Sequence, residues 1–166
     1  MSSFSNPSLP TTLRSTIATL TGSNATVAVP IFRITGTVHV VMLAGVVTTV
    51  LGSNNTAAHW RLNDQTAQPV ITAAAGTTLS AAGVGSSLYK IVSAGSALTL
   101  LTSAAGRFQE TSSSHMDFQE FTLVEKSGAN TDIEFVYTTT NTPTSGAIQF
   151  FCRYIPVSAT GAVTAL

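Results

Sequence analysis

Ile148-Gln149-Phe150-Phe151-Cys152-Arg153-Tyr154 sets Ile148, Phe150, Cys152 and Tyr154 at every second position, the spacing of one face of a β-strand. Ile133, Phe135 and Tyr137 repeat the pattern, and Phe121 and Leu123 begin it again. Each such run sends one face into a core. Outward from these, the chain after Val27 is built of Val, Ile, Thr and aromatic residues in short runs bounded by Gly, Asn, Ser and Pro. Further strands are predicted at Pro30 to Ile34, Thr37 to Ala44, Val46 to Leu51, His59 to Leu62, Pro69 to Thr72, Leu88 to Val92 and Ala97 to Thr102. Gly76, Gly83, Gly95 and Gly106 close Ala- or Ser-rich stretches and mark turns. No long helix is supported and strands do not alternate with helices. The fold class expected is therefore all-β, an antiparallel β-sandwich that is jelly-roll-like, in one domain over residues 27–166.

Residues 1–26 read differently. Ser, Thr, Asn and Pro dominate, and Arg14 is the only charged side chain. Leu13, Ile17 and Leu20 fall at helical spacing, while the Thr content argues equally for an extended strand. Few apolar groups are available to offset the ordering of the backbone, so an N-terminal arm is expected, mobile until it meets a partner. Phe4, Leu9, Leu13, Ile17 and Leu20 are the residues expected to make that contact with a neighbouring subunit or another partner.

Composition narrows the partners. Charged residues are 8% of the 166, against roughly 25% in ordinary soluble domains, and the formal net charge is zero. A polar but nearly uncharged surface resists association weakly, which points to a protein that lives assembled. The seven basic residues are scattered from Arg14 to Arg153, so nucleic acid is not an expected partner. The longest apolar run, Val38 to Leu51, is interrupted by His39, Gly45, Thr48 and Thr49 and falls short of the roughly 18 to 20 residues of a spanning helix, so no membrane is expected either. Met-Ser-Ser-Phe-Ser lacks a basic stretch followed by an apolar core, and synthesis in a cytoplasm is the expectation. Cys152 is a single cysteine within a buried strand pattern. Between Arg107 and Glu134 lie two basic and six acidic side chains, leaving a net of +4 on the rest of the chain. That acidic band either meets a basic neighbour or solvates an exposed face.

Catalytic and metal chemistry find little to build on. Gly83-Val84-Gly85-Ser86-Ser87 has the composition of a phosphate loop but lacks the third glycine and the Lys-Ser/Thr pair, and reads as a β-turn. Ser112-Ser113-Ser114-His115 sets hydroxyls near an imidazole without a Gly-x-Ser-x-Gly elbow anywhere, and reads as a polar loop. His115 and Asp117 would share a face if extended, and His39 and His59 could join them in space, but two ligands do not make a metal site. Trp60 reads as core rather than as a sugar platform. No catalytic residue, cofactor or metal is expected, and the protein is not expected to be an enzyme.

Ile31-Phe32-Arg33-Ile34-Thr35-Gly36, continuing as Val38-His39-Val40-Val41-Met42-Leu43-Ala44-Gly45-Val46-Val47-Thr48-Thr49-Val50, resembles a segment of small structural proteins of tailed bacteriophages. Ser87-Leu88-Tyr89-Lys90-Ile91 resembles their middle strand, and Arg153-Tyr154-Ile155-Pro156 with Gly161-Ala162-Val163-Thr164-Ala165 their closing strand and tail. Those relatives often carry a basic residue after the first glycine and an acidic one after the second, where this chain has Thr37 and Val46. The resemblance implies a virion component of the capsid decoration, or cement, type. It would be a homotrimer bound to the major capsid protein on the outer surface of the head. The competing expectation is a phage tail or fibre component that recognises a host surface glycan.

Overall fold

The computed structural model describes residues 9–53, 55–74, 76–90, 96–102, 119–140 and 145–166. Among them ten strands form and no helix: β1 (Thr11–Thr19), β2 (Thr26–Thr35), β3 (Thr37–Thr49), β4 (Asn55–Asn63), β5 (Ser87–Tyr89), β6 (Thr99–Leu101), β7 (Phe121–Val124), β8 (Thr131–Thr139), β9 (Ala147–Pro156) and β10 (Ala162–Ala165). The fold is an all-β sandwich of two antiparallel sheets. The first sheet runs β1-β9-β3-β5-β6, with β7 also paired to β3, and the second runs β10-β2-β8-β4. From β1 to β4, and again from β7 to β10, successive strands cross from one sheet to the other. The pairings nest: β1 with β9, β2 with β8, β3 with β7.

The core lies where the alternating positions of both sheets meet. Trp60 from β4 and Phe135 and Tyr137 from β8 stand against Phe150 from β9, all fully buried. Phe135 and Phe150 have ring centroids 4.9 Å apart across the two sheets, and Trp60 meets Phe150 edge-on at 6.4 Å. Opposite Phe150 sits Gly45 of β3, where an added Cβ would come within 3.0 Å of the Phe150 ring. The missing side chain makes room for the ring, so β3 continues through Gly45 as one strand where two had been predicted.

Sharp corners carry the chain between sheets. Gly36 joins β2 to β3 at φ +61°, and a Cβ there would press to 2.6 Å against the Ser158 and Thr160 hydroxyls. Only glycine combines that left-handed φ with so close an approach. The free edge of β4 is covered by an irregular run rather than by the regular strand predicted at Pro69 to Thr72. Ile71 N–H donates to Trp60 O (2.8 Å), Trp60 N–H to Thr72 Oγ1 (2.8 Å) and Thr77 N–H to Ala58 O (3.1 Å). Such cover shields an edge from foreign strands.

The N-terminal segment differs most from its expectation. Thr11–Thr19 is an edge strand of the first sheet, not an arm standing apart from it, and is paired to β9 from Thr11↔Tyr154 to Thr19↔Ala147. Ser15 Oγ accepts from the Phe150 N–H (3.0 Å), filling the gap left by a bulge between Arg14 and Ile17. Leu20 is 1% exposed within the core. The buried Tyr137 hydroxyl donates to Thr21 O and accepts from Thr21 N–H, both at 2.9 Å. Pairing to β9 and these buried partners provide the ordering free energy that composition alone did not reveal.

A chain beginning at Ala25 should therefore lose stability. It would strip β9 of its neighbour, leave the Tyr137 hydroxyl without partners at about 1 to 3 kcal/mol, and remove Leu20 from the core at about 2 to 5 kcal/mol. Thermal unfolding followed by circular dichroism should place it far below the full chain.

Candidate interaction face

The two sheets turn opposite chemistry to solvent. Across the second sheet, cross-strand partners satisfy one another. Arg33 donates two hydrogen bonds to Asp132, Nε to Oδ1 at 2.8 Å and Nη2 to Oδ2 at 3.0 Å. Asp132 raises the arginine's pKa, the hydrogen bond contributing most. Arg61 Nε meets Glu134 Oε2 at 2.7 Å, and Asn63 Nδ2 donates to the same carboxylate at 2.8 Å. Thr26 and Thr138 share a hydroxyl hydrogen bond at 3.1 Å. Directly opposed pairs of this kind stabilise a sheet and leave its surface polar.

The first sheet presents four rows, in two of which apolar residues predominate. One row runs Arg14, Phe151, Ala44, Tyr89, Thr99, and its neighbour Ile17, Gln149, Val46, Ser87, Leu101. A third places Met42 beside Arg153 and Thr12, and a fourth Ile155 beside His39 and Thr122. These residues alternate with the core positions Phe150, Cys152, Leu43 and Val47, so they point away from the core. Ile17 is 56% exposed and Val124, at the rim, 62%. A bulge between Val40 and Met42 sets two consecutive apolar residues, Val41 and Met42, half-exposed on β3. Antiparallel strands with one solvated face normally alternate apolar and polar residues. β3 and the Phe150-Phe151 step of β9 do not, and contiguous exposed apolar surface marks interaction sites.

Of the residues expected to make a contact, the structure separates those it describes. Leu13 packs against the core and Leu20 lies inside it, Leu9 is 86% exposed ahead of β1, and Ile17 alone joins the outer face. Phe4 lies outside the described residues, as do His115, Asp117 and the Ser112–Ser114 hydroxyls. The acidic band is spent internally where it is described. Glu120 Oε2 meets His39 Nε2 at 2.9 Å, Glu125 accepts from Gly36 N–H at 2.7 Å, and Asp132 and Glu134 hold the two arginines above.

His59 is buried with Nδ1 2.8 Å from Ala57 O, and Trp60 is 0% exposed, as a core residue would be. Among the described residues no three His, Cys, Asp or Glu side chains gather as a metal site would require. No described helix is long and apolar enough to cross a membrane. Burial pushes the Cys152 thiol up to about 12, which keeps it protonated and unreactive. Gly83 to Ser86 forms a turn closed by Ser86 N–H on Gly83 O (3.0 Å), with Gly85 N–H tied to Val47 O (2.9 Å), so its amides face the fold rather than a phosphate. A cleft of about 250 Å³ opens between Leu62, Ile71, Phe121 and Leu123. The buried Lys90 closes one wall with Nζ 5.2 Å from the Phe121 ring centroid, and burial lowers its pKa. No protein-family model, curated protein or solved structure matches the chain.

The adjacent phenylalanines of β9 test this two-faced reading. Phe150→Ala should cost about 3 to 5 kcal/mol in chemical denaturation, as emptied aromatic core sites do. Phe151→Ser should cost about 1 kcal/mol or less, the scale of a surface change that forfeits one exposed cation–π contact. It should also reduce binding of an apolar fluorescent dye to the native protein.

Proposed function

We propose that this chain is a non-enzymatic structural protein of a virus particle, of the capsid decoration type, which binds the major capsid protein and stabilises the head. The observation that carries this reading is the outer face of the first sheet, apolar in its centre on a chain with 8% charged residues. A protein working alone in solution would be expected to cover or charge such a face. A part that spends its life assembled has it covered by its neighbours.

Two further features support the reading. The nested pairing of β1 with β9, β2 with β8 and β3 with β7 suits a jelly roll, a frequent architecture of capsid proteins. Two of the three segments that resemble phage structural proteins also converge. β2, β3 and β10 meet with the end of β9 around Gly36, where Thr37 O accepts from Val157 N–H (2.9 Å) and Gly161 lies against the Thr37 carbonyl. Two distant stretches of sequence thus serve one structural corner. A homotrimer on the outer capsid surface is the form this proposal takes. The glycan-binding alternative gains no support from the described cleft, whose one aromatic ring faces Lys90 and whose neighbour Trp60 is fully buried.

Purified particles of the source virus test the proposal. Quantitative mass spectrometry should find a copy number that follows capsid symmetry, and particles lacking the protein should rupture at a lower temperature, recovering when it is added back. A handful of copies located at the tail would assign the chain to adhesion instead.

A further inference from the structure

Resting on the reading of this chain as an assembly protein, we infer that the outer face of the first sheet docks on a protein surface that offers carboxylates beside apolar side chains, and that Arg14 and Arg153 are the residues that select it.

The inference comes from the charge pairing within the chain. Among the described residues, each arginine of the second sheet holds a carboxylate, Arg33 with Asp132 and Arg61 with Glu134. The two arginines of the first sheet hold none. Among the described residues Arg153, which is exposed, has no hydrogen-bond or ion-pair partner, and Arg14 has the Phe151 ring, its guanidinium carbon 5.6 Å from the ring centroid, and no carboxylate. They stand close together, Arg14 opposite Phe151 and Arg153 opposite Thr12 on the same pair of strands. Stacking on Phe151 leaves the edge of the Arg14 guanidinium, with its N–H groups, open to bind a planar anion.

Charge complementarity then identifies the occupant. Every described carboxylate of the chain already has a partner: Asp64 accepts from Thr66 and Ala67 N–H groups, Glu120 meets His39, Glu125 accepts from Gly36, and Asp132 and Glu134 hold arginines. Among the described carboxylates of a second copy, Asp132 and Glu134 are committed to arginines, and the exposed Glu120 and Glu125 would have to be shared with His39 and the Gly36 N–H, which favours a different protein. A nucleic acid would demand a run of cations along its phosphates, whereas here two neighbouring guanidiniums stand beside an apolar group of Phe151, Met42 and Val46. Arginine at the rim of an apolar patch suits forked binding of Asp or Glu, with the patch excluding water around it.

The test uses the intact protein on particles of the source virus prepared without it, with binding measured by co-sedimentation across a salt series. Arg14→Gln/Arg153→Gln should bind about a hundredfold more weakly, about tenfold per lost arginine–carboxylate contact, and its binding should depend less steeply on salt. Its unfolding temperature should match that of the original chain. Thr164→Glu, on the exposed surface of the second sheet, should bind as the original does. Equal binding by the double glutamine variant would overturn the docking face while leaving the decoration role intact. Failure of the unaltered protein to bind the particles would overturn the decoration role and this inference with it. If the glutamine variant instead lost self-association in sedimentation equilibrium while still decorating, the occupant would be a second copy, and the inference of an acidic foreign partner would fall.

Discussion

The contact between Phe135 of β8 and Phe150 of β9, with centroids 4.9 Å apart, joins the two sheets, and most of the fold can be traced from it. An aromatic pair adds about 0.5 to 1.5 kcal/mol beyond its buried area. Its larger effect here is geometric. Phe150 needs the space that Gly45 leaves, so β3 must lie opposite it at that register. Trp60 closes the other side and fixes β4, whose edge is then covered by the run from Pro69 to Thr77. Even the first strand answers to this pair, since Ser15 receives the Phe150 N–H, and Leu20 just after it belongs to the same core.

Once the inner faces are fixed, the strands' alternation fixes the outer ones. On β8 the residues between Ile133, Phe135 and Tyr137 include Glu134, which meets Arg61. On β9 the residue after Phe150 is another phenylalanine, and on β3 the outward positions are Met42, Ala44 and Val46. The same core geometry therefore yields a charge-paired surface on one side and an apolar one on the other. Internal stability does not require that difference.

Much of this was legible in the chain. The period of two over Ile133 to Tyr137 and Ile148 to Tyr154 identifies β8 and β9 because burial of one face imposes it. The run Val38 to Val50 was legible as strand, but its meaning was not. An apolar run without alternation shows that both faces avoid water, yet only the neighbours of β3 tell which face is core and which is open. β10 escaped the strand reading, and for β1 helix and extended strand stood equal, for a related reason. Their Thr, Ser and Ala residues have weak individual preferences, and their pairing energy comes from β2 and β9, distant in sequence.

The sequence by itself determined the class of fold, since strand periodicity, glycine turns and the lack of helical pattern are local properties of the chain. It also determined the low charge that leaves apolar surface undefended. Tertiary structure alone decided which charges meet. Arg33 and Asp132 are 99 residues apart, and Arg14 and Arg153 share one face although they lie near opposite ends of the chain. Ion pairing depends on separations of a few ångströms, and those are set by strand register, which no local stretch of sequence encodes.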